Sequence, residues 1–425
     1  MIRLKVLPLA GITLLAACHL AGPQPGGAPA AGGGRVATAG PHVEPNVRVA
    51  VAVDTATVSV SSALPFDLVG PGGVIAARAG RGETWMLRPG DDGITATGPG
   101  GKTVAVQAPT AVWTGGNADI VVDGHPYRGS ILVRRSNAGG LTVINTLALE
   151  SYLLGVLPYE IGARPESEIE AVKAQAVAAR TYAIRQLGAR DSLGFDFYAT
   201  VADQVYRGRE AEEAVAQRAV RATRGEIVVY HGQPILAYYH STCGGHTASI
   251  DQVWPAAAEP YLRSVSDERP DGDGAYCDIS NRYNWTETWT GDALLQDIRI
   301  GLRLHDGARA NGVSRIRSVE IKGRTTSGRV KMLRIDTNAG TFEVHGDSIR
   351  WVLRPEAGRI LNSDLFDLDV TRKAGTVVAL TARGRGWGHG IGMCQMGAIG
   401  RARAGQDYRE ILRHYYRGTQ IARLY

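Results

Sequence analysis

A glutamate lies in apolar company at Leu153-Leu154-Gly155-Val156-Leu157-Pro158-Tyr159-Glu160-Ile161-Gly162. Such neighbours predict burial, which makes a carboxylate harder to ionise and raises its pKa, so the group keeps a proton near neutral pH. A carboxylic acid of that kind can protonate a leaving oxygen. The competing reading makes Glu160 a surface charge, paired with Arg164 or capping the next helix, and Glu150 is a second carboxylate with an equal claim to a structural role. Further on, His240, Cys243 and His246 form an H-x2-C-x2-H cluster, with Cys277 the other cysteine nearby. Two sulfurs and two imidazoles suit tetrahedral zinc, although the spacing is not that of a standard finger. A Cys243–Cys277 disulfide and free side chains are the alternatives. Zinc held by all four ligands would be structural, because catalysis needs an open position.

Glycines 384, 386, 388, 390 and 392 alternate strictly, which fails the dinucleotide pattern G-x-G-x-x-G. Gly101-Lys102-Thr103 imitates the end of a phosphate loop, but Ala96 stands where the first glycine is required and Val104-Ala105-Val106 reads as a strand. Ser241 and Cys243 lack a recognisable base and orienting carboxylate for nucleophilic work.

The elements that must position these groups follow from periodicity. Alternating valines at 47, 49, 51 and 53, then 58 and 60, predict strands, and Gly-rich breaks punctuate more of them to about residue 125. This makes 46–125 a β-rich accessory domain and 126–425 the catalytic region. A hairpin around Asn137-Ala138-Gly139-Gly140 leads toward the glutamate. A long Ala-rich helix follows the glutamate loop. Pro165 opens it, Glu166 and Glu168 load its first turn, Arg180 and Arg185 its later turns, and Gly188 closes it. Ile169, Val172, Ala176, Ala179, Ala183 and Leu187 give it one narrow apolar face. Strands near Ser318–Lys322 and Lys331–Thr337 precede a glycine-dense loop and a C-terminal helix capped by Asp407 with Glu410 three residues on. The fold class expected is α+β, mainly β.

The 425 residues carry 47 Lys+Arg against 41 Asp+Glu, a mild basic excess far short of the dense stripes of a nucleic-acid binder, so no nucleic-acid partner is expected. Residues 1–18 have a positive start at Arg3 and Lys5, an apolar run and Leu15-Ala16-Ala17-Cys18, which resembles a bacterial lipoprotein lipobox. That resemblance implies a lipid on Cys18 and a membrane anchor in the cell envelope, on the periplasmic face. Residues 19–45, rich in Gly, Ala and Pro, read as a flexible tether.

Tyr152-Leu153-Leu154-Gly155-Val156-Leu157-Pro158-Tyr159-Glu160, followed by the run from Ala171 to Ala183, resembles the signature of the stage II sporulation protein D/LytB family. Tyr239–Thr247 and Gly386–Ala398 add two more ordered motifs. The resemblance implies a lytic transglycosylase acting on peptidoglycan glycan strands stripped of stem peptides, with the essential glutamate at Glu160 and no cofactor required beyond a possible structural zinc. The glycine-dense loop, whose backbone can approach a flat polysaccharide closely, fits a glycan cleft with Trp387 to stack on a sugar, His389 and Gln395 to hydrogen-bond it and Ser241 beside them; a loop buried for packing is the alternative. Lys173 and Arg180, seven residues apart on one helix face, would meet lactyl carboxylates or serve as solvated helix charges. The LytB name implies an alternative, a non-catalytic glycan-binding module that enhances or recruits a cell-wall amidase. The chemistry suits a single glutamate, since the sugar's own C6 hydroxyl can replace the water that a second carboxylate would direct.

Overall fold

The structure, a computed structural model, describes residues 43–91, 93–114, 118–355 and 359–425. Cys18, the signal segment and nearly all of the tether lie outside them. The alternating valines form β1 (Asn46–Thr55), which pairs antiparallel with Leu141–Ala148 and parallel with Phe197–Tyr198. These strands belong to a seven-stranded sheet that continues through Ser130–Arg135, Thr110–Thr114, Phe66–Val69 and Ile75–Ala79. A six-stranded sheet built from residues between Val58 and Tyr127 shares its hydrophobic core. The expected boundary at 125/126 is therefore corrected. Strands from both sides of it are hydrogen-bonded neighbours, and their inward residues, such as Val47, Val112 and Val143, pack into one core that runs on into the helices.

The chain leaves the sheet directly into α1 (Leu149–Glu160). Leu149, Tyr152, Leu153, Val156 and Leu157 recur at i, i+3, i+4, i+7 and i+8 and are all buried, the stripe of a helix packed on a core. Glu160 is thus the last residue of a helix, not part of a loop; Pro158, inside that helix, supplies no N–H to the Leu154 carbonyl, a cost that the buried apolar stripe outweighs.

Pro165 is followed by a short 3-10 turn, and the Ala-rich helix α2 runs Ile169–Gln186. It is buried almost all round rather than on one face. Strand Glu226–Tyr230 and helices α1, Ala214–Ala222, Gln395–Arg403 and Tyr408–Tyr415 all pack against it, and Ala171, Ala174, Ala178 and Ala183 are small enough to let them approach. The C-terminal helix starts as expected, with the Asp407 carboxylate accepting from the Glu410 N–H at 2.8 Å and the Glu410 carboxylate from the Asp407 N–H at 2.8 Å.

Residues 284–385 build a second hydrophobic core of their own. It contains a sheet in the order Asn284–Thr290, Thr376–Arg385, Phe366–Lys373, a second sheet of three strands including the expected Ile316–Ile321 and Met332–Thr337, and helix Gly291–Asp306. The molecule is α+β with many sheets. Among the described residues no helix is long and apolar enough to cross a membrane.

Candidate active site

Glu160 is positioned by a glycine one turn earlier. A side chain at Gly155 would place its Cβ 2.5 Å from the Tyr206 ring, so only glycine lets the 204–207 segment lie against α1. The Arg207 N–H bonds the Gly155 carbonyl at 3.2 Å, and the Val205 N–H donates to Glu160 Oε1 at 2.8 Å. From the other side Gln395, at the start of its helix, hydrogen-bonds Glu160 and donates from Nε2 to Gln175 Oε1 of α2 at 3.4 Å. Glu160 is partly buried, and burial pushes its carboxyl from the ordinary 4.5 up to about 7 against the pull of the Val205 N–H and Gln395. Its position at a helix C-terminus, the negative end of the dipole, acts in the same direction. Both partners are neutral, so nothing in contact with the carboxyl favours the charged form by its own charge. A proton held near neutral pH is what a general acid requires.

Behind this contact Tyr152 donates to Gln204 Oε1 and Gln204 Nε2 donates to the Tyr239 hydroxyl, both at 3.0 Å. Gln175, Gln204 and Tyr239 were not among the expected site residues; Tyr239 lies inside the Tyr239–Thr247 motif, whereas 204–207 carries no local signal.

The two later motifs meet in space. Tyr239–His240 pairs in parallel with Met393–Cys394, Thr242 bridges Trp387, and the Met396 N–H bonds the Ser241 carbonyl at 2.9 Å. The alternating glycines make this possible: a Cβ on Gly392 would fall 2.0 Å from the Tyr238 carbonyl oxygen. Gln395 reaches Glu160. Ser241 is partly buried with its hydroxyl 3.3 Å from that of Thr242. Trp387 is half-buried, with the Arg282 guanidinium 4.1 Å from its ring centre. His389 donates from Nε2 to the Tyr239 carbonyl and accepts the Ile391 N–H on Nδ1, each at 3.0 Å, and burial lowers its pKa to about 4. It is a neutral, fixed imidazole that braces the loop.

Two expected contacts with substrate are corrected. The Arg180 guanidinium is fully buried and forks onto Glu150, with Nε to Oε1 at 2.9 Å and Nη2 to Oε2 at 2.7 Å, while Nη1 donates to the Glu226 carbonyl at 3.0 Å. The all-round burial of α2 leaves it no route to a ligand. Lys173 pairs with Glu170 at 2.6 Å beside the Tyr408 ring, roughly 200° around the helix from Gln175, so it faces away from Glu160.

The metal set is also corrected. His240 donates from Nδ1 to the Ile391 carbonyl at 3.1 Å, and neither it nor His246 joins the cluster of donors. Cys243 and Cys277 instead gather with Cys394 and Asp267, all buried, their ligand atoms within 4.8 Å of one another. The Cys243 and Cys277 sulfurs are 3.4 Å apart and the thiols are free, not a disulfide. Tetrahedral zinc with Zn–S near 2.3 Å sets sulfurs about 3.8 Å apart, so these residues fit it. Cys394 Sγ accepts the Cys243 N–H at 3.2 Å and the Gly397 N–H at 3.3 Å, contacts that suit a thiolate ligand. Arg401 and the Tyr415 hydroxyl hold Asp267 Oδ1 and leave Oδ2 turned toward Cys243.

Comparison with known proteins matches residues 137–230 to a family described as stage II sporulation protein and residues 271–392 to a domain of unknown function. The first span contains Glu160 and α2; the second contains the separate core. An uncharacterized protein of Brachyspira hyodysenteriae is 35% identical over 301 residues, 71% of this chain and 73% of that protein. Stage II sporulation protein D of Bacillus subtilis is 31% identical over 295 residues, 66% of this chain and 76% of that protein. The amidase enhancer of Bacillus subtilis is 29% identical over 293 residues, 63% of this chain but 40% of the longer relative.

Proposed function

The chain belongs to the stage II sporulation protein D family, and from that premise we propose that it is a peptidoglycan lytic transglycosylase acting on glycan strands without stem peptides. The observation that carries this reading is the Glu160 carboxyl, raised to about 7 by burial and touched only by neutral donors. Protonated, it gives its proton to the glycosidic oxygen as the C1–O bond breaks. The resulting carboxylate takes the proton of the C6 hydroxyl as that oxygen closes on C1, so Glu160 ends protonated, no water is consumed and the product is a 1,6-anhydro sugar. Gln395 steadies the carboxyl through both states. A hydrolytic route would ask for a second free carboxylate, and the buried acids nearby are engaged: Asp203 accepts from Arg190, Tyr182 and the Tyr198 N–H, and Glu150 holds Arg180.

The same reading gives Trp387 and Ser241 to the glycan cleft and places the protein in the cell envelope, tethered through Cys18. It assigns Cys243, Cys277, Cys394 and Asp267 to a structural zinc that would pin the Ser241 and Trp387 loops together; with four protein ligands that ion has no catalytic position. The likeness to an amidase enhancer supports a second reading, a glycan-binding module that assists a cell-wall amidase without cutting. The chain lacking residues 1–45, given amidase-treated sacculi, separates the two. Release of anhydro-ended fragments by the wild type and none by Glu160→Gln supports the first. Release that requires added amidase and survives Glu160→Gln replaces it with the second.

A further inference from the structure

The core of residues 284–385 lies in sequence between the two motif loops, Tyr239–Thr247 and Gly386–Ala398, and contacts both. Gly386 and Gly388 donate their N–H groups to the carbonyls of Tyr283 and Asn362, each at 2.8 Å, while Trp387 between them exchanges two hydrogen bonds with Thr242. The glycine loop is thus threaded between the earlier motif on one side and the second core on the other. One buried side chain joins all three. Arg329 is 1% exposed, yet its guanidinium reaches out of its own core: Nη1 donates to the His246 carbonyl at 3.0 Å and Nη2 to the Cys243 carbonyl at 2.9 Å. Its Nε faces Asp364 Oδ1 at 3.2 Å, and Asp364 is equally buried. A Cβ on Gly390 would lie 2.5 Å from Arg329 Nη2, so the bare glycine gives the guanidinium its seat, and the Gly390 carbonyl accepts the Ala248 N–H at 2.7 Å. The planar fork meets two carbonyls and a carboxylate at once, a geometry that a lysine ammonium on its flexible stem does not hold.

We propose that Arg329 is a positioning residue for the Glu160 site, and that the domain of unknown function carrying it serves to hold the two motif loops in register. Arg329 touches no reacting group and acts through the loops. The loop it grips offers the Ser241 carbonyl to the Met396 N–H, and the neighbouring Gln395 hydrogen-bonds Glu160. A buried ion pair is weak support for a core, and apolar side chains of similar volume would serve the packing of residues 284–385 as well; what arginine adds is the grip on carbonyls that belong to the loops. The inference rests on Glu160 as the acid and adds a residue that sets its geometry. A misplacement of about 1 Å at a catalytic group can cost about a hundredfold in rate, and with Tyr239–His240 still paired to Met393–Cys394 the loss of one tether is expected to cost less, about tenfold.

Arg329→Lys keeps a charge for Asp364 but loses the fork onto two carbonyls. At a temperature where its melting curve shows it folded, it is expected to lower kcat for release of anhydro-ended fragments about tenfold while KM changes less than about threefold. Hydrogen exchange at the Thr242 and Ala248 N–H groups, which bond the glycine loop, is expected to quicken about tenfold while the strand Met332–Thr337 keeps its protection. Gly390→Ala presses on the guanidinium from the other loop and is expected to reproduce both effects, so it carries the test if Arg329→Lys does not fold. Arg350→Lys is the comparison: that arginine is also buried but bonds the Leu361 carbonyl and Asp347 within its own core, so it is expected to lower the melting temperature and leave kcat and loop exchange at wild-type values. Wild-type kcat in folded Arg329→Lys, or exchange that quickens throughout residues 284–385 and not in the loops, would overturn the positioning role. Failure of the wild type to release anhydro-ended fragments sinks the catalytic reading instead; the exchange measurement needs no turnover and decides the grip of Arg329 on the loops by itself, so the two failures are distinguishable.

Discussion

Replacing Glu160 by glutamine removes the one proton on which the proposed reaction turns, and its effect on stability can be worked out separately from its effect on rate. The folded carboxyl sits at about 7 against 4.5 for an ordinary glutamate, with burial the largest cause. Between those two values the folded chain holds more protons than the unfolded chain, so wild-type stability falls as pH rises through this window and levels off above the folded pKa. Linkage over that window makes the wild type lose about 2.5 kcal/mol between pH 5 and pH 8 from this residue alone. Glutamine keeps an oxygen for the Val205 N–H and has no charge to bury, so Glu160→Gln is expected to gain on the wild type by about that amount as the pH rises. Urea unfolding of both proteins at pH 5 and pH 8 measures the difference. In parallel, kcat/KM of the wild type should fall about tenfold for each pH unit above about 7, since only the protonated acid can start the reaction, and the variant should lose about 10²–10⁴-fold in rate below about pH 7, a deficit that narrows as the wild type falls at higher pH. A stability difference that stays flat with pH, or that moves the other way, refutes the argument that Glu160 is held protonated by its surroundings.

Gly155→Ala forces the 204–207 segment off α1, and is expected to cost about 1–3 kcal/mol in thermal or urea unfolding and to lower fragment release by disturbing the Val205 contact to Glu160. Arg180→Met leaves buried Glu150 with only the Gly225 N–H and the Tyr425 hydroxyl as donors and should cost about 3–5 kcal/mol in urea unfolding, whereas Arg180→Met combined with Glu150→Leu should recover part of that loss; a double variant no more stable than Arg180→Met would refute the uncompensated Glu150 charge as the cause. Metal analysis of the purified chain should find about one zinc, lost in Cys277→Ser and Cys394→Ser and kept in His246→Ala, and chelation should lower the melting temperature; zinc that depends on His246 would refute the revised ligand set. Proton and nitrogen NMR of the His389 ring should show no titration between pH 5 and pH 8 and a proton on Nε2, in keeping with its value of about 4 and its two hydrogen bonds.

Local sequence identified the α+β character, the period-two strands and the capping box at Asp407, because each depends on neighbours within a few residues; it also predicted apolar surroundings for Glu160, whose choice as the acid came from the family resemblance. Other features were hidden for reasons that can be named. Leu149–Glu160 did not read as a helix because Gly155 and Pro158 disfavour one in isolation, and the burial of five apolar side chains overrides that preference. Arg180 resembles any helix cation until Glu150, 30 residues earlier, is found against it. His240 and His246 share a motif with Cys243, yet the atoms that surround its sulfur come from Asp267, Cys277 and Cys394, up to 151 residues away. What the amino-acid order settled unaided is which groups are chemically capable, since side-chain type and local periodicity are written in it directly. Which of them share a site, which stay dry enough to keep a proton and which are consumed by buried pairing was decided by the packing of distant segments, because desolvation and charge pairing act through space and not along the chain.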